Sequence, residues 1–278
     1  MVEIFQYDAE IARAARLIDG ADALLITAGA GIGVDSGLPD YRGDTGLWKS
    51  YPALRARRQG FQDIARQKSF EQSKYLAWGF YGHRLQLYRD TMPHRGFALL
   101  QQWSQIKPHG SFVYTSNVDG QFQKAGFAAT RIVECHGSIH WLQCLHACTE
   151  RIWSAADLVV EVDTAVCSWT AALPQCPYCD RIARPNILMF EDWTYLSYAT
   201  DMQLWRLGQW EKKVERLVVI EIGAGTAIPS VRRKSASYRQ PIIRINPDDA
   251  GVSDVDSVSL PMGALEALER IDRHLQRG

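Results

Sequence analysis

The feature that most constrains the fold of this chain is the alternation of helical segments with short, wholly apolar runs. Residues 8–20 carry apolar residues at helical spacing, and Gly20 ends that segment just before the run ALLITA at 23–28. A run without polar positions is typical of a strand covered on both faces, as in a parallel sheet. The first 28 residues therefore predict one helix followed by one buried parallel strand.

The same order of elements recurs along the chain. The later segments are helical 97–106, strand-like 112–115, helical 194–216, strand-like 217–222 (LVVIEI), strand-like 242–245 and 257–260, and helical 264–275. This alternation predicts an α/β protein built on a Rossmann-like, doubly wound parallel sheet.

Two segments break the alternation. Residues 44–93 are helical and poor in strands, and residues 137–185 contain two close pairs of cysteines. We expect these two segments to form a smaller module. Residues 1–43, 94–136 and 186–278 then form a larger, discontinuous sheet domain.

Composition argues against several classes of protein. The 278 residues include 31 Lys+Arg and 31 Asp+Glu, so the formal net charge is zero and direct nucleic-acid binding is not expected. The apolar stretches 21–34 and 217–228 are too short to span a bilayer, and the N-terminus has no signal-peptide pattern. We therefore expect a cytoplasmic protein that does not enter membranes. The sequence leaves its oligomeric state open.

Two glycine-rich turns follow the two most apolar strands. One is Gly29–Gly33 (GAGIG), and the other is Gly223-Ala224-Gly225. Ligands of parallel sheets bind beyond the carboxyl ends of the strands, where glycine lets backbone amides approach a phosphate. Neither turn matches the fingerprint GxGxxG, so each alone also fits a plain tight loop. Their occurrence at two strand ends favours a phosphate or dinucleotide site.

A longer motif indicates a family. The run AGAGIGVDSGLPDYRG at 28–43 resembles the sirtuin signature TGAGxSxxSGIPxFRG. Further motifs follow in the family's order: SNVDG at 116–120 resembles QNID, CHG at 135–137 contains the catalytic HG, RPNILMF at 184–190 is similar to RPxVVxF, GAG at 223–225 stands for GTS, and IN at 245–246 matches the strand-end IN. The resemblance covers nearly the whole chain.

The resemblance implies an activity. Sirtuins are NAD-dependent protein lysine deacylases that produce nicotinamide and O-acyl-ADP-ribose. We therefore expect a deacetylase, or a desuccinylase or demalonylase, with NAD as co-substrate and an acylated-lysine protein or peptide as substrate. The larger domain would then bind NAD.

The resemblance also assigns the NAD-binding positions. They are Gly29, Ala30, Gly31, Asp40, Tyr41, Arg42, Ser116, Asn117, Asp119, Gly223, Ala224, Gly225 and Asn246. Amides of the glycine turn would approach the diphosphate, Arg42 would hold ribose or phosphate oxygens, and Tyr41 would shield the reacting ribose carbon. Asn246 would meet the adenine-side ribose, although it also fits a helix cap or a turn before Pro247.

The catalytic residues implied by the resemblance are His136, Asn117 and Asp119. In sirtuins the acyl-lysine oxygen attacks the ribose carbon that bears nicotinamide, and a histidine then deprotonates a ribose hydroxyl; an imidazole with a pKa of about 6.5 suits that step. Asp119 would accept a hydrogen bond from the nicotinamide amide, although 117–120 alone also fits an ordinary Asx turn. A Cys135–His136 dyad is disfavoured, because neighbours on an extended chain point to opposite faces.

The cysteine spacing indicates a metal site. Cys144-x3-Cys148 and Cys176-x2-Cys179 each place two thiolates within reach of one tetrahedral ion. They occupy the place of the sirtuin zinc ribbon, which implies one structural zinc. The alternatives are four free core cysteines, a redox pair at Cys176 and Cys179, or substitution of one ligand by His140 or His146.

Three residues are candidates for acyl-substrate binding. Tyr81 and Arg84 lie one helical turn apart and resemble the YxxR pair of sirtuins that remove succinyl or malonyl groups, since arginine can form two parallel hydrogen bonds with a carboxylate. The alternative for Arg84 is an exposed residue on an ordinary helix. Phe190 is the third candidate.

One departure from the family concerns the segment after Phe190. Glu191-Asp192 stands where deacylases have the glycine and glutamate of FGE, on the strand edge that pairs with substrate peptide. Two other functions therefore remain open: an ADP-ribosyltransferase or NAD glycohydrolase on the sirtuin scaffold, and a non-catalytic sensor of NAD or ADP-ribose.

Overall fold

A computed structural model describes residues 7–40 and 43–276. The strands are β1 (Ala23–Ala28), β2 (Ser111–Thr115), β3 (Ile132–Glu134), β4 (Gly137–Cys144), β5 (Trp153–Ser154), β6 (Val162–Asp163), β7 (Ser168–Trp169), β8 (Ala183–Ile187), β9 (Leu217–Ile222), β10 (Ile242–Ile245) and β11 (Val258–Leu260). The helices are α1 (Asp8–Gly20), α2 (Gly43–Ser50), α3 (Pro52–Ala56), α4 (Phe61–Ile64), α5 (Gln67–Gln72), α6 (Lys74–Asp90), α7 (Arg95–Gln105), α8 (Gln121–Lys124), α9 (Tyr198–Glu211), α10 (Ser230–Ser237) and α11 (Ala264–Leu275). Short 3-10 helices span Ala30–Ser36 and Ala129–Arg131.

The main sheet of the described residues has six parallel strands in the order β3-β2-β1-β9-β10-β11. Counted along the chain within this sheet, the order is 3-2-1-4-5-6, which is that of a Rossmann fold. The order reverses between β1 and β9, and this is where such sheets bind their ligands. The predicted α/β class and doubly wound parallel sheet are confirmed.

The apolar runs form the two central strands because both of their faces are covered. Every residue of β1 and β9 is buried. Leu24 and Ile26 pack into a core with helices α1, α7 and α11, whereas Ala23 and Leu25 pack into another core with α9. Helices therefore lie on both faces of the sheet, which explains why these strands have no alternation of polar residues.

A smaller structure surrounds a third core. It contains the antiparallel sheet β5-β4-β8 and the two-stranded sheet β6-β7. Their apolar residues pack with helices of the segment 44–93, including the long α6. The two segments that break the sequence alternation thus share one core. Throughout the described ranges, every helix is too short or too polar to cross a membrane.

The structure corrects two local expectations. The predicted helix 194–216 is shorter, since α9 spans Tyr198–Glu211. Cys135 and His136 lie in a tight turn and not on an extended chain, because the chain passes there from the main sheet to β4. Gly137 completes that turn with φ +75°, and a Cβ on it would lie 2.1 Å from the carbonyl oxygen of Asn186. Only glycine fits this passage.

Candidate active site

The two glycine turns meet at the switch point of the sheet. The amide of Gly31 donates to the carbonyl of Gly223 at 3.1 Å, and the amide of Gly29 donates to that of Ile222 at 3.0 Å. A Cβ on Gly31 would lie 2.6 Å from the Cα of Gly223, which itself has φ +61°. The glycines therefore serve the contact between the two turns, a role that the sequence did not indicate. A cleft of about 220 Å³ opens beside this contact, lined in part by Gly31, Gly223, Asp40 and Pro247.

Three hydrogen bonds to one backbone carbonyl fix the second glycine turn. The carbonyl oxygen of Ala224 accepts hydrogen bonds from Asn246 Nδ2 at 3.0 Å and from both Nε and Nη2 of Arg232 at 3.1 and 2.9 Å. Asn246 Oδ1 accepts from the amides of Asp248 and Asp249. Asn246 thus forms the turn that the sequence left as its alternative role, and its contact with ribose stays a prediction. Gly225, the next residue of the turn, is exposed.

The first turn is anchored from two directions. Asp35 Oδ2 accepts from the amide of Leu265 at 2.8 Å, in the first turn of α11. Ser36 Oγ accepts from the amide of His94 at 2.9 Å, just before α7. Ala30 is exposed at the start of this turn. The predicted positions Tyr41 and Arg42 lie outside the described residues.

Asn117 ties the end of β2 to the first glycine turn. Its Nδ2 donates to the carbonyl of Gly29 at 3.1 Å, and the amide of Ser116 donates to the carbonyl of Ala28 at the end of β1. The predicted residues of 116–117 and the turn at 29–31 therefore form one connected edge.

Asp119 is a buried carboxyl on the same loop. Its Oδ1 accepts from the amide of Gln121 at 2.9 Å, and the residue is only 8% exposed. Burial raises the pKa of Asp119 to about 6, against the opposing effects of its hydrogen bonds and of the Arg84 charge. This loop has the Asx-type bond of the alternative interpretation, but a buried ionisable carboxyl is more than a turn requires.

His136 lies next to this edge. Its Nε2 is 3.2 Å from the hydroxyl oxygen of Ser230, and the backbone of Ser116 also hydrogen-bonds the ring. Burial lowers the pKa of His136, so the imidazole is neutral near neutral pH and can accept a proton. Ser230 was missed by the sequence reasoning, because nothing in a serine 94 residues away marks it as a partner.

Cys135 does not pair with His136. Its thiol interacts with Tyr114, and burial raises its pKa to about 11. The Cys135–His136 dyad is therefore disfavoured because Cys135 interacts with Tyr114 and His136 with Ser230. The reason predicted from the sequence, an extended chain at these residues, was wrong.

The four predicted zinc ligands converge. The sulfurs of Cys144, Cys148, Cys176 and Cys179 all lie within 4.8 Å of one another. Two of the distances are 3.7 and 3.6 Å. A tetrahedral ion with Zn–S bonds of about 2.3 Å would place its sulfurs about 3.8 Å apart, so the donor set fits zinc. His140 lies elsewhere and bonds the carbonyl of Asp119 through Nε2 at 2.8 Å.

The YxxR pair lies on α6, as its spacing predicted, but deep in the small core. Tyr81 is 1% exposed and stacks on Phe70, and burial raises its pKa to about 12. Arg84 is buried as well; its Nε and Nη2 donate to the hydroxyl of Tyr88, and its guanidinium contacts the rings of Phe80, Tyr81 and Tyr88. Arg84 is therefore not the exposed helical residue of the alternative interpretation.

Glu191 and Asp192, which follow Phe190, differ in their exposure to solvent. Glu191 has φ +53°, a left-handed conformation that suits glycine, and its side chain is 68% exposed. Asp192 is fully buried and pairs with Arg184 at 2.7 Å. The amide of Phe190 donates to the carbonyl of Ala65 at 2.9 Å, so the helical segment 44–93 holds this loop. Glu191 thus has a backbone conformation that glycine adopts more readily.

Comparison with known proteins decides the family. The model of the Sir2 family matches residues 29–221, more than half of the chain. The chain belongs to the Sir2 family. The matched range contains the first glycine turn, the loop with Asp119, the His136 turn and all four clustered cysteines.

Two curated relatives that match this chain are NAD-dependent protein deacylases. An NAD-dependent protein deacylase of Leptospira interrogans (serovar Lai) is 26% identical over 252 residues, covering 89% of this chain and 91% of the relative. One of Thermococcus kodakarensis is 30% identical over 183 residues, covering 65% of this chain and 64% of the relative.

Solved structures confirm the Sir2 fold. A Sir2 homolog–NAD complex has a TM-score of 0.71 at 20% identity, covering 95% of this chain and 93% of that one. A Sir2 homologue mutant in complex with ADP-ribose has a TM-score of 0.70 at 21% identity, covering 95% and 96%.

Proposed function

We propose that this Sir2 protein is an NAD-dependent protein lysine deacylase, which moves the acyl group of a modified lysine onto ADP-ribose and releases nicotinamide. The observation that carries the proposal is the position of His136, directly beside the edge that residues 116–117 form with the first glycine turn, which in turn contacts the second. The activity for which the relatives are named agrees with it.

NAD would lie across the switch point. The turn of Gly29, Ala30 and Gly31 packs against the diphosphate, the turn at Gly223–Gly225 and Asn246 lie on the adenosine side, and Asp40 lines the cleft. As the family motif implies, Arg42 would hold ribose or phosphate oxygens, Tyr41 would shield the reacting ribose carbon, and Ser116 would also contact NAD. Asp119, as a buried carboxylate, accepts from the nicotinamide amide.

His136 would act as the general base. After the acyl oxygen has displaced nicotinamide from the ribose carbon, Nε2 takes the proton of a ribose hydroxyl, which then attacks the acyl carbon. The low pKa of the buried ring keeps it in the accepting form near neutral pH. Asn117 fixes the adjoining edge through its bond to the carbonyl of Gly29.

The acyl group would include carboxylate-bearing acyls such as succinyl and malonyl, besides acetyl. A guanidinium buried among aromatic rings is a strong site for a carboxylate, because little water competes there. Tyr81 lies one helical turn before Arg84 on α6, and Phe190 would contact the substrate peptide. Arg84 carries the selectivity in this proposal.

The remaining assignments concern the scaffold. One zinc ion held by the four cysteine thiolates orients the small module and has no open position for substrate. Residues 1–43, 94–136 and 186–278 form the NAD-binding domain, and 44–93 with 137–185 form the small domain. The small-domain segments supply most of one core, to which Leu38, Val118, Ile187 and Met189 of the larger domain also contribute. The protein works in the cytoplasm on acylated-lysine proteins or peptides.

Substitution of the base tests the proposal. His136→Ala should abolish deacylation of an acetyl-lysine peptide, with a loss of about 100-fold or more in kcat, because general-base catalysis contributes about that much. Calorimetric titration should still detect NAD binding, since the glycine turns remain. Wild-type turnover in the variant would refute the role of His136. Repeated release of nicotinamide, with many molecules per chain in the absence of peptide, would instead favour an NAD glycohydrolase or ADP-ribosyltransferase.

A further inference from the structure

The contact between Ser230 and His136 has no role in the proposed deacylase reaction. The Ser230 hydroxyl oxygen lies 3.2 Å from His136 Nε2. A hydroxyl within reach of an imidazole that a third group orients is the arrangement of an activated oxygen nucleophile.

The ring of His136 has such a third group. The backbone of Ser116, on the edge next to the ring, interacts with His136 and raises its pKa, as a carbonyl acceptor does. The ring is neutral near neutral pH because burial lowers its pKa. In the tautomer with the proton on Nδ1, Nε2 keeps its lone pair and the Ser230 hydroxyl donates to it, which is the arrangement that the inference below uses.

The position of Ser230 is fixed by the helix that begins with it. Ser230 is the first residue of α10, and the next residue, Val231, is buried. One turn further along, the hydroxyls of Ser235 and of Thr27 in β1 hydrogen-bond at 2.8 Å. The helix is thus attached to the central strand, and Ser230 stands half-buried beside the base.

The stereochemistry of the NAD ribose determines which face of the sugar the Ser230 hydroxyl would meet. In NAD the two ribose hydroxyls and the nicotinamide lie on opposite faces of the sugar. A base that serves a ribose hydroxyl is therefore on the face from which a nucleophile must displace nicotinamide. Ser230 shares that base, so it lies on the attacking side.

We propose that Ser230 is a self-ADP-ribosylation site, used when no acyl-lysine occupies the cleft. The Ser230 oxygen attacks the ribose carbon C1′, the C1′–nitrogen bond breaks, and its electron pair leaves with neutral nicotinamide. The serine proton passes to His136 Nε2. The product, an O-linked ADP-ribosyl group on Ser230, covers the base and limits the reaction to one event per chain. The inference rests on the proposed NAD site and on His136 as base.

The test is the intact mass of the protein after incubation with NAD alone. Wild-type protein should gain the mass of one ADP-ribosyl group, and fragmentation should place it on Ser230. Ser230→Ala and His136→Ala should each lower the gain by about 100-fold or more, whereas Ser230→Thr should retain part of it. Ser237→Ala, at the exposed end of the same helix, is the matched control and should be modified like the wild type.

Calorimetry with NAD and a peptide deacylation assay on the same sample separate the two possible failures. NAD binding and deacylation without self-modification would overturn the inference and leave the proposed function standing. Modification that persists in Ser230→Ala would also overturn it. A protein that does not bind NAD would overturn both.

Discussion

Replacement of Asp119 by asparagine should stabilise the fold, and the gain should depend on pH. Burial raises the pKa of Asp119 from 3.8 to about 6. A pKa raised by about two corresponds to about 3 kcal/mol, since each pKa unit is worth about 1.4 kcal/mol. Between pH 3.8 and about 6, the folded state thus holds a proton that the unfolded state has already lost. The free energy of unfolding of the wild type therefore falls as the pH rises through this range.

The asparagine keeps the Oδ1 that accepts from Gln121 but cannot ionise. The difference in free energy of unfolding between Asp119→Asn and wild type should grow by about 3 kcal/mol from about pH 4 to about pH 7. Urea denaturation followed by circular dichroism at several pH values measures this difference, with Asp157→Asn, an exposed acid, as control. Nicotinamide release should fall in the variant, since an amide NH2 replaces an acceptor oxygen. A stability difference that does not vary with pH would refute the buried-carboxyl reasoning.

Three further changes test other parts of the account. Arg84→Met should lower kcat/KM for a succinyl-lysine peptide by about tenfold or more relative to an acetyl-lysine peptide, because it removes charged hydrogen bonds; equal losses on both peptides would contradict the acid-pocket proposal. Purified protein should contain one zinc per chain by atomic absorption, and Cys179→Ser should lower that content and the melting temperature together; full folding without metal would contradict a structural zinc. Asp192→Ala should cost about 3–5 kcal/mol in urea unfolding because it leaves Arg184 charged and buried, whereas a loss under about 1 kcal/mol would show that the pair is not buried.

Much of the fold was predictable from local sequence. The runs at 23–28 and 217–222 are strands because they have no polar face to expose, and their terminal glycines mark the ligand end of a parallel sheet. The spacing of the four cysteines likewise predicted a cluster that the structure forms. Each strand run and each cysteine pair consists of residues close together in the chain, which is why sequence patterns reveal them.

The rest of the site depends on contacts that no sequence pattern marks. Ser230 contacts His136 across 94 residues of the chain. The contacts of Arg232 with Ala224 and of Asp192 with Arg184 each join residues eight positions apart, outside any regular helical or strand spacing. No spacing rule identifies these pairs, since the two partners are joined by tertiary structure. The turn at His136 was missed because its cause lies on another strand: the carbonyl of Asn186 on β8 leaves no room for a Cβ at Gly137.

The most direct test of the central claim is the mass balance of one reaction. Purified protein is incubated with NAD and an acetyl-lysine peptide, and all products are quantified by mass spectrometry. The account predicts nicotinamide, deacetylated peptide and O-acetyl-ADP-ribose in equal amounts. Free acetate without consumption of NAD, or ADP-ribose formed while the peptide stays acetylated, would contradict it.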